Sequence, residues 1–296
     1  MVFSIASSCL LACIFGLPLA ATYALFNLCR NSLWVWPVLL LAPLIYTVCF
    51  VMTAGGLSLP FQSGIIAGKF PRDLHHPVYR KRRFYGLCWT SVYYFKPLYY
   101  LCLSIPWLKW LLFRLFGYKG SMNFTIYADT WIRDLPLLSF GEGTYVSNRV
   151  TLGTNLALSN GQILVDKITC GRKSLVGHLA LIGLGTQIGE EAEIAMRCEI
   201  GIRCQIGNGA LVQPTSGINH HCKIGAKAII GTRSHIDLAV QIGPGVKIPA
   251  SAFVPGRTKV LTQQDANAIV STEAHIATAS TRRSQHMRTV VDEFAG

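Results

Sequence analysis

An apolar residue recurs at every sixth position from Phe140 to Val254, and this period constrains the fold more than any other feature of the chain. All twenty positions are apolar, although hydrophobic residues make up only 51% of the chain. Chance would give such a series about once in a million for a chosen phase. The next residue is often glycine, and the fourth residue after each position is mostly small. The series is Phe140, Val146, Leu152, Leu158, Leu164, Cys170, Val176, Ile182, Ile188, Ile194, Ile200, Ile206, Val212, Ile218, Ile224, Ile230, Ile236, Ile242, Ile248 and Val254.

A period of six with small residues at a fixed phase predicts a parallel β-helix, in which short strands stack and one apolar column fills the bore. In the left-handed form three repeats make one triangular coil, so residues eighteen apart stack at about 4.8 Å. The rule for small residues fails at Gln162, Val165 and Ile168. We therefore expect a loop excursion between Ser159 and Thr169.

Two uncharged apolar stretches precede the repeats. No charged residue occurs among the first 29, and none lies between Arg30 and Lys69. Each stretch exceeds the roughly 20 residues that cross a bilayer as a helix. We expect spans near Ser4–Leu28 and Leu33–Leu57. A cleaved signal peptide is the alternative, but the basic segment that begins such a peptide is missing.

The charge distribution favours a membrane protein over a nucleic-acid-binding protein. Lys and Arg exceed Asp and Glu by 13, yet charged residues are only 14% of the chain. The segment after the second span carries six basic residues, against Arg30 alone between the spans, so it is predicted to be a cytoplasmic loop. Leu87–Phe116 is aromatic but carries basic residues, which favours interfacial helices over a span; a single crossing there would invert the topology. The six basic residues are Lys69, Arg72, Arg80, Lys81, Arg82 and Arg83.

These patterns divide the chain into three regions. Residues 1–118 form a transmembrane hairpin with a basic loop and interfacial helices, residues 119–256 form the β-helix, and residues 257–296 form a C-terminal helix and tail. The predicted fold class is therefore mainly β, a left-handed parallel β-helix of hexapeptide repeats preceded by an α-helical region. The expected location is the inner or cytoplasmic membrane, with the β-helix facing the cytoplasm. In the tail, a short helix is predicted near Gln264–Ala277.

The period also assigns most cysteines of the repeat region. Cys198, Cys204 and Cys222 occupy the small inward position and are interpreted as core residues. No CxxC pair occurs, and a cytoplasmic domain would keep its thiols reduced. Zinc binding through cysteine is therefore not expected.

The stretch Gly217–Gly225, "GINHHCKIG", carries two adjacent histidines inside the repeats. Stacking by eighteen places Asp237 over Asn219, beside His220, and His235 over Gly217. His178 belongs to another face, so His178 and His220 cannot serve one site within a single chain. The alternative interpretation of His220 is an exposed polar residue, which any β-helix needs on its outer faces.

The element from Ile218 to Gly225 resembles the "I-x-H-D-C-x-I-G" element of hexapeptide-repeat acyltransferases, which include lipid A UDP-N-acetylglucosamine acyltransferases and sugar acetyltransferases. The resemblance implies that His220 is a general base in acyl transfer from acetyl-CoA or another acyl-CoA. The acid that follows the base in those families is His221 here. Asp237 or His235 is then the candidate that fixes the imidazole tautomer, and backbone N–H groups near Gly201 or Gly217 are candidates for steadying the oxyanion.

A second resemblance runs from about Trp107 to Val254. This stretch is similar to the membrane-linked hexapeptide domains of nonribosomal peptide synthetases such as poly-lysine synthetase. A loop histidine of those domains corresponds to Asn155 here. The stretch "SLVGHLALIG" also resembles γ-class carbonic anhydrases, with His178 matching one zinc ligand. The other two ligand positions fall at Gly183 and near Gly153, so no metal site is expected.

Four basic residues in the late coils are candidates for binding the CoA phosphates, as the resemblance implies; ordinary surface charge is the alternative. The predicted function is membrane-anchored acyl transfer, with an acyl-CoA donor, membrane lipid, and a membrane-associated saccharide or small-molecule acceptor as partners. A homotrimer is expected, and nothing resembles a nucleic-acid-binding head. A carrier-tethered peptide acceptor and a non-catalytic scaffold are the alternatives. The four basic residues are Arg233, Lys247, Arg257 and Lys259.

Overall fold

The computed structural model describes residues 2–269 of the 296-residue chain. Within that range, a group of helices precedes a long series of short strands. Residues 263–269 are also helical, and the rest of the helix predicted at Gln264–Ala277 lies outside the described residues. The helices are α1 (Val2–Cys29), α2 (Val35–Gln62), α3 (Pro77–Tyr94), α4 (Lys96–Ser104) and α5 (Pro106–Leu115), with a 3₁₀ turn at Leu135–Leu137.

The first two helices coincide with the predicted spans. Both are apolar throughout, carry no acidic or basic residue in their end turns, and pack against each other as a hairpin. They are the two helices of the described chain that are long and apolar enough to cross a membrane. Few residues in their most apolar windows are buried within the protein, 11% in α1 and 17% in α2.

The predicted basic loop is partly a helix. Residues Gly68–Pro71 form a strand, and α3 starts at Pro77, in agreement with the preference for proline in a first helical turn. The basic residues from position 80 onward therefore lie on α3 instead of in a loop. Between Leu87 and Phe116 the chain forms the end of α3 and the short helices α4 and α5; their position at the membrane interface stays a prediction.

The strands continue to the end of the described repeat region. The last of them contains Val260, one repeat beyond the predicted end of the period at Val254. The strands are β1 (Gly68–Pro71), β2 (Phe124–Ile126), β3 (Leu138–Phe140), β4 (Thr144–Val146), β5 (Thr151–Leu152), β6 (Asn155–Ala157), β7 (Gln162–Val165), β8 (Ile168–Cys170), β9 (Leu175–Val176), β10 (Leu181–Ile182), β11 (Gln187–Ile188), β12 (Glu193–Ile194), β13 (Glu199–Ile200), β14 (Gln205–Ile206), β15 (Leu211–Val212), β16 (Gly217–Ile218), β17 (Lys223–Ile224), β18 (Ile229–Ile230), β19 (His235–Ile236), β20 (Gln241–Ile242), β21 (Lys247–Ile248), β22 (Phe253–Val254) and β23 (Lys259–Val260).

Three parallel sheets form the faces of the β-helix. Face 1 has the order β2-β4-β9-β12-β15-β18-β21, face 2 the order β5-β10-β13-β16-β19-β22, and face 3 the order β3-β8-β11-β14-β17-β20-β23. Successive strands visit faces 1, 2 and 3 in turn. Residues eighteen apart are paired, as Ile182 with Ile200 and Ile200 with Ile218. The predicted fold class, a parallel β-helix after an α-helical region, is confirmed.

The excursion predicted between Ser159 and Thr169 is an antiparallel hairpin of β6 and β7 that begins earlier, at Asn155, and ends at Val165. Its second strand also pairs with β1 from the helical region. Phe140 pairs with Cys170, thirty residues later, whereas Cys170 pairs with Ile188, eighteen residues later. The excursion therefore adds twelve residues, or two repeats. This is why the apolar phase continues through Leu158 and Leu164 although neither fills the bore.

The bore is filled as the period predicted. Outside the excursion, every apolar position of the series is at most 3% exposed. The three predicted core cysteines are buried, and their thiols donate to main-chain carbonyls: Cys198 to Gln213 (3.1 Å), Cys204 to Asn219 (3.0 Å) and Cys222 to Asp237 (3.0 Å). These contacts satisfy the polar hydrogen of each thiol inside an apolar column.

The helical region and the first coils share one core. Trp89 of α3 donates from Nε1 to the carbonyl of Ile132 at 2.7 Å, and Tyr85 donates to the carbonyl of Phe116 at 2.9 Å. Both aromatic side chains are fully buried. The Trp89 bond holds α3 against the start of the β-helix, and the Tyr85 bond holds it against the end of α5.

Candidate functional site

A groove of about 280 Å³ lies on face 2 around the predicted histidine element. Along this face the outward residues of successive strands are Leu181, Glu199, Gly217, His235 and Phe253. Gly217 has no side chain, so it leaves a gap between the carboxylate of Glu199 below and the imidazole of His235 above. The groove is lined by Leu181, Glu199, Ile200, Gly201, Gly217, Ile218, Asn219, His220 and His235.

His220 stands at the corner where face 2 turns into face 3. Its exposed ring lies over Gly201, and Nδ1 accepts a hydrogen bond from the main-chain N–H of Ile202 at 3.0 Å. Because Nδ1 is an acceptor in this bond, the neutral ring carries its proton on Nε2. In this geometry His220 has a donor at Nε2. The lone pair of Nδ1 is occupied by the hydrogen bond from Ile202.

Asp237 stacks over Asn219, as predicted from the eighteen-residue spacing. The hydrogen bond runs from Asn219 Nδ2 to Asp237 Oδ1 at 3.1 Å, and Asn219 Oδ1 accepts from the main-chain N–H of His220 at 2.7 Å. Asn219 thus lies between the carboxylate and the histidine. The main-chain N–H of Leu238, and then the Asn219 amide, lower the pKa of Asp237. The carboxylate therefore fixes the turn that carries His220 and makes no direct contact with the imidazole.

His221 has a left-handed backbone, with φ of 61°, and its main-chain N–H donates to the carbonyl of Ile202 at 2.8 Å. Its side chain is exposed and makes no hydrogen bond with the residues that the structure describes. It therefore does not replace the acid of the resembled element as a partner of His220.

His235 lies over Gly217, as predicted, and lines the same groove as His220. Its ring stacks on Phe253 of the next coil with centroids 5.6 Å apart and planes within 1°. This stacking orients the ring along face 2. The structure therefore brings two histidines and Glu199 to one groove. Glu199 is not among the residues predicted from the sequence, although the eighteen-residue spacing places it directly next to Gly217 in this column.

The N–H groups of Gly201 and Gly217 themselves are not available as oxyanion donors in this structure. The N–H of Gly201 donates to the carbonyl of Ile218 at 2.7 Å, and the N–H of Gly217 donates to the carbonyl of Ser234 at 2.9 Å. Both belong to the ladder that joins successive coils. A donor for a developing negative charge must come from outside that ladder.

The four basic residues predicted to bind CoA do not share a face. Lys247 points outward from face 1 and Lys259 from face 3, whereas Arg257 lies at the corner between faces 2 and 3. Arg233 lies at the opposite corner, between faces 1 and 2. All four are exposed, and within one chain they form no single phosphate site.

Among residues 2–269, no three His, Cys, Asp or Glu side chains come together in a way that could hold a metal ion. His178 lies at the corner between faces 1 and 2, away from His220, as the stacking predicted. The cysteine thiols donate to carbonyls in the bore, where they have no access to the groove.

No family model matches the chain, and no curated protein matches it. Solved structures that are similar include a UDP-N-acetylglucosamine acyltransferase from Francisella novicida, with 18% identity over 49% of this chain and 56% of that chain and a TM-score of 0.41. A variant of perosamine N-acetyltransferase from Caulobacter crescentus, in complex with CoA and GDP-perosamine, has 18% identity over 46% and 50% of the two chains and a TM-score of 0.27. An N-acyltransferase from Bacillus cereus, in complex with dTDP and coenzyme A, has 20% identity over 48% and 74% and a TM-score of 0.29.

This chain spans about half the length of the first two of these proteins. At such identities the likeness concerns the fold, and the β-helix itself rests on the strand register described above. The solved structures to which this chain is similar are thus hexapeptide-repeat acyltransferases.

Proposed function

We propose that the chain is a membrane-anchored acyltransferase that moves an acyl group, in the first instance acetyl, from CoA or a carrier thioester to a hydroxyl or amine of a membrane-associated saccharide. The observation that carries this proposal is the groove on face 2, which is lined by His220 and His235 and widened by the gap that Gly217 leaves. The resemblance of the element around His220 to hexapeptide-repeat acyltransferases supports the same chemistry.

In the proposed reaction His220 is the general base. The ring first rotates away from Ile202, which frees the Nδ1 lone pair. Nδ1 then takes the proton of the acceptor hydroxyl or amine while its oxygen or nitrogen bonds to the thioester carbonyl carbon. The tetrahedral intermediate collapses as the C–S bond breaks, and the departing thiolate takes the proton back from the imidazolium, so CoA leaves as the thiol.

The same rotation provides an oxyanion donor. When His220 leaves, the N–H of Ile202 loses its acceptor and lies at the corner next to Gly201, which lines the groove. A main-chain N–H in that position suits a carbonyl oxygen that becomes negative in the transition state. Asp237 stabilises the turn through Asn219, and His235 is the second candidate for proton transfer.

Membrane anchoring is proposed from the exposed surface of α1 and α2. Leu28 of α1 and Leu40 of α2 are 83% and 82% exposed, and much of both helices is apolar and uncovered. So large an apolar surface is unfavourable in water and favourable in lipid. We place the β-helix on the cytoplasmic side because basic residues follow α2, and we propose a homotrimer in which the basic residues of neighbouring chains meet around CoA.

The test is thiol release from acetyl-CoA by the full chain in lipid nanodiscs, with a mixed pool of lipid-linked saccharides. We expect His220→Ala to lower the rate by about 10²- to 10⁴-fold, while His178→Ala, at another corner, keeps the wild-type rate. Far-ultraviolet circular dichroism establishes that both variants are folded. Equal rates for wild type and His220→Ala would rule out His220 as the base.

One observation favours a second candidate function, a non-catalytic membrane-anchored scaffold. The His220 lone pair is engaged by Ile202, and neither Asp237 nor His221 bonds to its ring. A polar corner residue that closes its own turn would make the same contacts. Absence of thiol release by the wild type with saccharide acceptors and with carrier-tethered peptides would favour this candidate.

A further inference from the structure

A second pocket, of about 630 Å³, lies where α2 ends against the first coil of the β-helix. Its walls are apolar at Ile65, Ile66 and Leu137, and Lys119 and Lys167 stand at its rim. It begins at Gln62, the last residue of a helix long and apolar enough to span a membrane. If α2 crosses the bilayer, this pocket is at the depth of the lipid headgroups.

The charge in this pocket is uncompensated. No carboxylate lines it, and neither Lys119 nor Lys167 has an ion-pair partner within the described part of the chain. Lys81 brings a third ammonium to its edge, since Nζ donates to Ser63 Oγ at 2.9 Å. Asp166, the carboxylate next to Lys167, is held by Arg203 at 3.2 Å.

An apolar wall beside unpaired lysines at headgroup depth matches one kind of occupant. Ammonium groups bind phosphate oxygens, and basic pockets at this level bind lipid phosphates. The apolar side chains would cover the first carbons of the lipid chain, which a free phosphate or a nucleotide does not have.

The position of Lys167 relates this pocket to the groove. Lys167, Gly185, Arg203 and His221 occupy the same corner position in successive coils, because the face 3 strands that follow them pair in register. Three coil steps separate Lys167 from His221, or about 14 Å at the usual strand spacing. A pocket of about 330 Å³ lies along the first steps, lined by Lys167, Gly185 and Arg203 and by Asp166, the carboxylate that Arg203 holds.

We propose that the pocket around Lys119 and Lys167 binds the phosphate or diphosphate of a lipid-linked saccharide, whose sugar chain runs along this corner to His220. This inference rests on the proposed function, because it specifies the acceptor of that reaction. The acceptor class is a lipid phosphate whose reacting hydroxyl or amine lies about 14 Å from the phosphate.

The test is binding of a short-chain polyprenyl diphosphate to the full chain in phosphatidylcholine nanodiscs, measured by isothermal titration calorimetry. We expect Lys119→Ala with Lys167→Ala to weaken binding by about tenfold or more, because each lysine near the surface contributes to phosphate affinity. Lys119→Arg with Lys167→Arg keeps binding. The matched control, Lys173→Ala with Lys227→Ala, removes two exposed lysines from another corner and also keeps it.

Two further probes identify the source of the phosphate. We expect the corresponding polyprenol, without phosphate, not to bind, and inorganic pyrophosphate not to compete at the concentrations that saturate with the lipid. Wild-type affinity in the double alanine variant, equal binding of the polyprenol, or full competition by pyrophosphate would each overturn the proposal.

The outcome is separable from the test of acyl transfer. His220→Ala is expected to bind polyprenyl diphosphate like the wild type, since His220 lies about three coil steps from the pocket. Thiol release that needs His220, combined with lipid binding that ignores both lysines, would reject this inference and keep the proposed function. Lipid binding that depends on the lysines, with no thiol release by the wild type or any variant, would support this inference and reject the proposed acyl transfer.

Discussion

Arg82 of α3 and Asp134 at the start of the β-helix form a buried ion pair, with Nη2 and Oδ2 2.7 Å apart and side chains 3% and 1% exposed. Asp134 Oδ2 also accepts from Thr154 Oγ1 at 2.7 Å and from Asn155 Nδ2 at 3.2 Å. The carboxylate thus joins α3, the first coil and the hairpin excursion. Arg82 Nη1 is buried and has no hydrogen-bond partner among the described residues, so Asp134 provides the compensation for the guanidinium charge.

We expect Asp134→Ala to destabilise the protein by about 3–5 kcal/mol, because it leaves the Arg82 guanidinium buried and uncompensated. The measurement is the thermal midpoint in detergent, followed by tryptophan fluorescence. Lys173→Ala is the control: it breaks the exposed pair of Lys173 and Glu191, whose charged atoms are 3.8 Å apart, and should cost less than about 1 kcal/mol. Similar thermal midpoints for the two variants would show that the buried ion pair stabilises the fold no more than the exposed one.

Gly201→Ala should displace His220. A Cβ at this position would lie 2.6 Å from His220 Nδ1 and 2.7 Å from its main-chain nitrogen, so the corner must shift. We expect thiol release to fall as much as in His220→Ala, together with a lower thermal midpoint. Gly153→Ala is the matched control, since its Cβ meets only a carbonyl oxygen at 3.4 Å. Unchanged activity in Gly201→Ala would mean that the resting position of His220 is irrelevant to the reaction.

Gly217→Phe should fill the gap between Glu199 and His235. The residue points outward, and an added Cβ meets only the His235 ring, at 3.2 Å from Nδ1. We expect a higher KM for the acyl donor or acceptor and little change in thermal midpoint. Glu193→Phe, an outward position on face 1, is the control. A variant with normal KM values would indicate that substrates bind elsewhere.

The bond from Asn219 to Asp237 predicts a pH dependence of stability. The pKa of Asp237 is lowered from 3.8 by the Leu238 N–H and the Asn219 amide. Its contribution is therefore fully present above the unfolded pKa and is lost as the pH falls through the lower folded value. We expect the wild type to have a higher thermal midpoint than Asp237→Asn at pH 7, with the difference shrinking below about pH 4. A difference that is constant from pH 7 to pH 3 contradicts this assignment.

The bore cysteines should resist alkylation in the folded protein. Cys198, Cys204 and Cys222 are buried in the bore, so the reagent does not reach their thiols. Burial also raises the pKa of Cys198, whereas a hydrogen bond between the thiols of Cys204 and Cys222 raises the pKa of Cys204 and lowers that of Cys222. We expect iodoacetamide to leave all three unmodified until the chain is unfolded, as read by mass spectrometry of the peptides. Rapid labelling of any of them under native conditions would show that the coils open locally.

The sequence was sufficient to predict the fold of the repeat region, because each coil packs only against the coils next to it. Every sixth residue must be apolar and of a size that fits the narrow bore. Because successive coils pair residues eighteen apart, the register of the strands is then determined. The same rule placed His235 over Gly217 and Asp237 over Asn219. It also made the excursion difficult to delimit, since a twelve-residue insertion preserves a period of six.

The tertiary structure decided which polar groups meet. In the sequence Arg82 is indistinguishable from the five other basic residues of its segment, because its partner Asp134 is 52 positions away and contacts it only through the packing of α3. Likewise, stacking places Asp237 near His220, but the Asn219 side chain lies between them. Asp237 therefore bonds to the Asn219 amide and not to the imidazole of His220. Periodicity determines the direction of each side chain, whereas hydrogen bonds depend on distances of a few tenths of an ångström, which only the assembled coils fix.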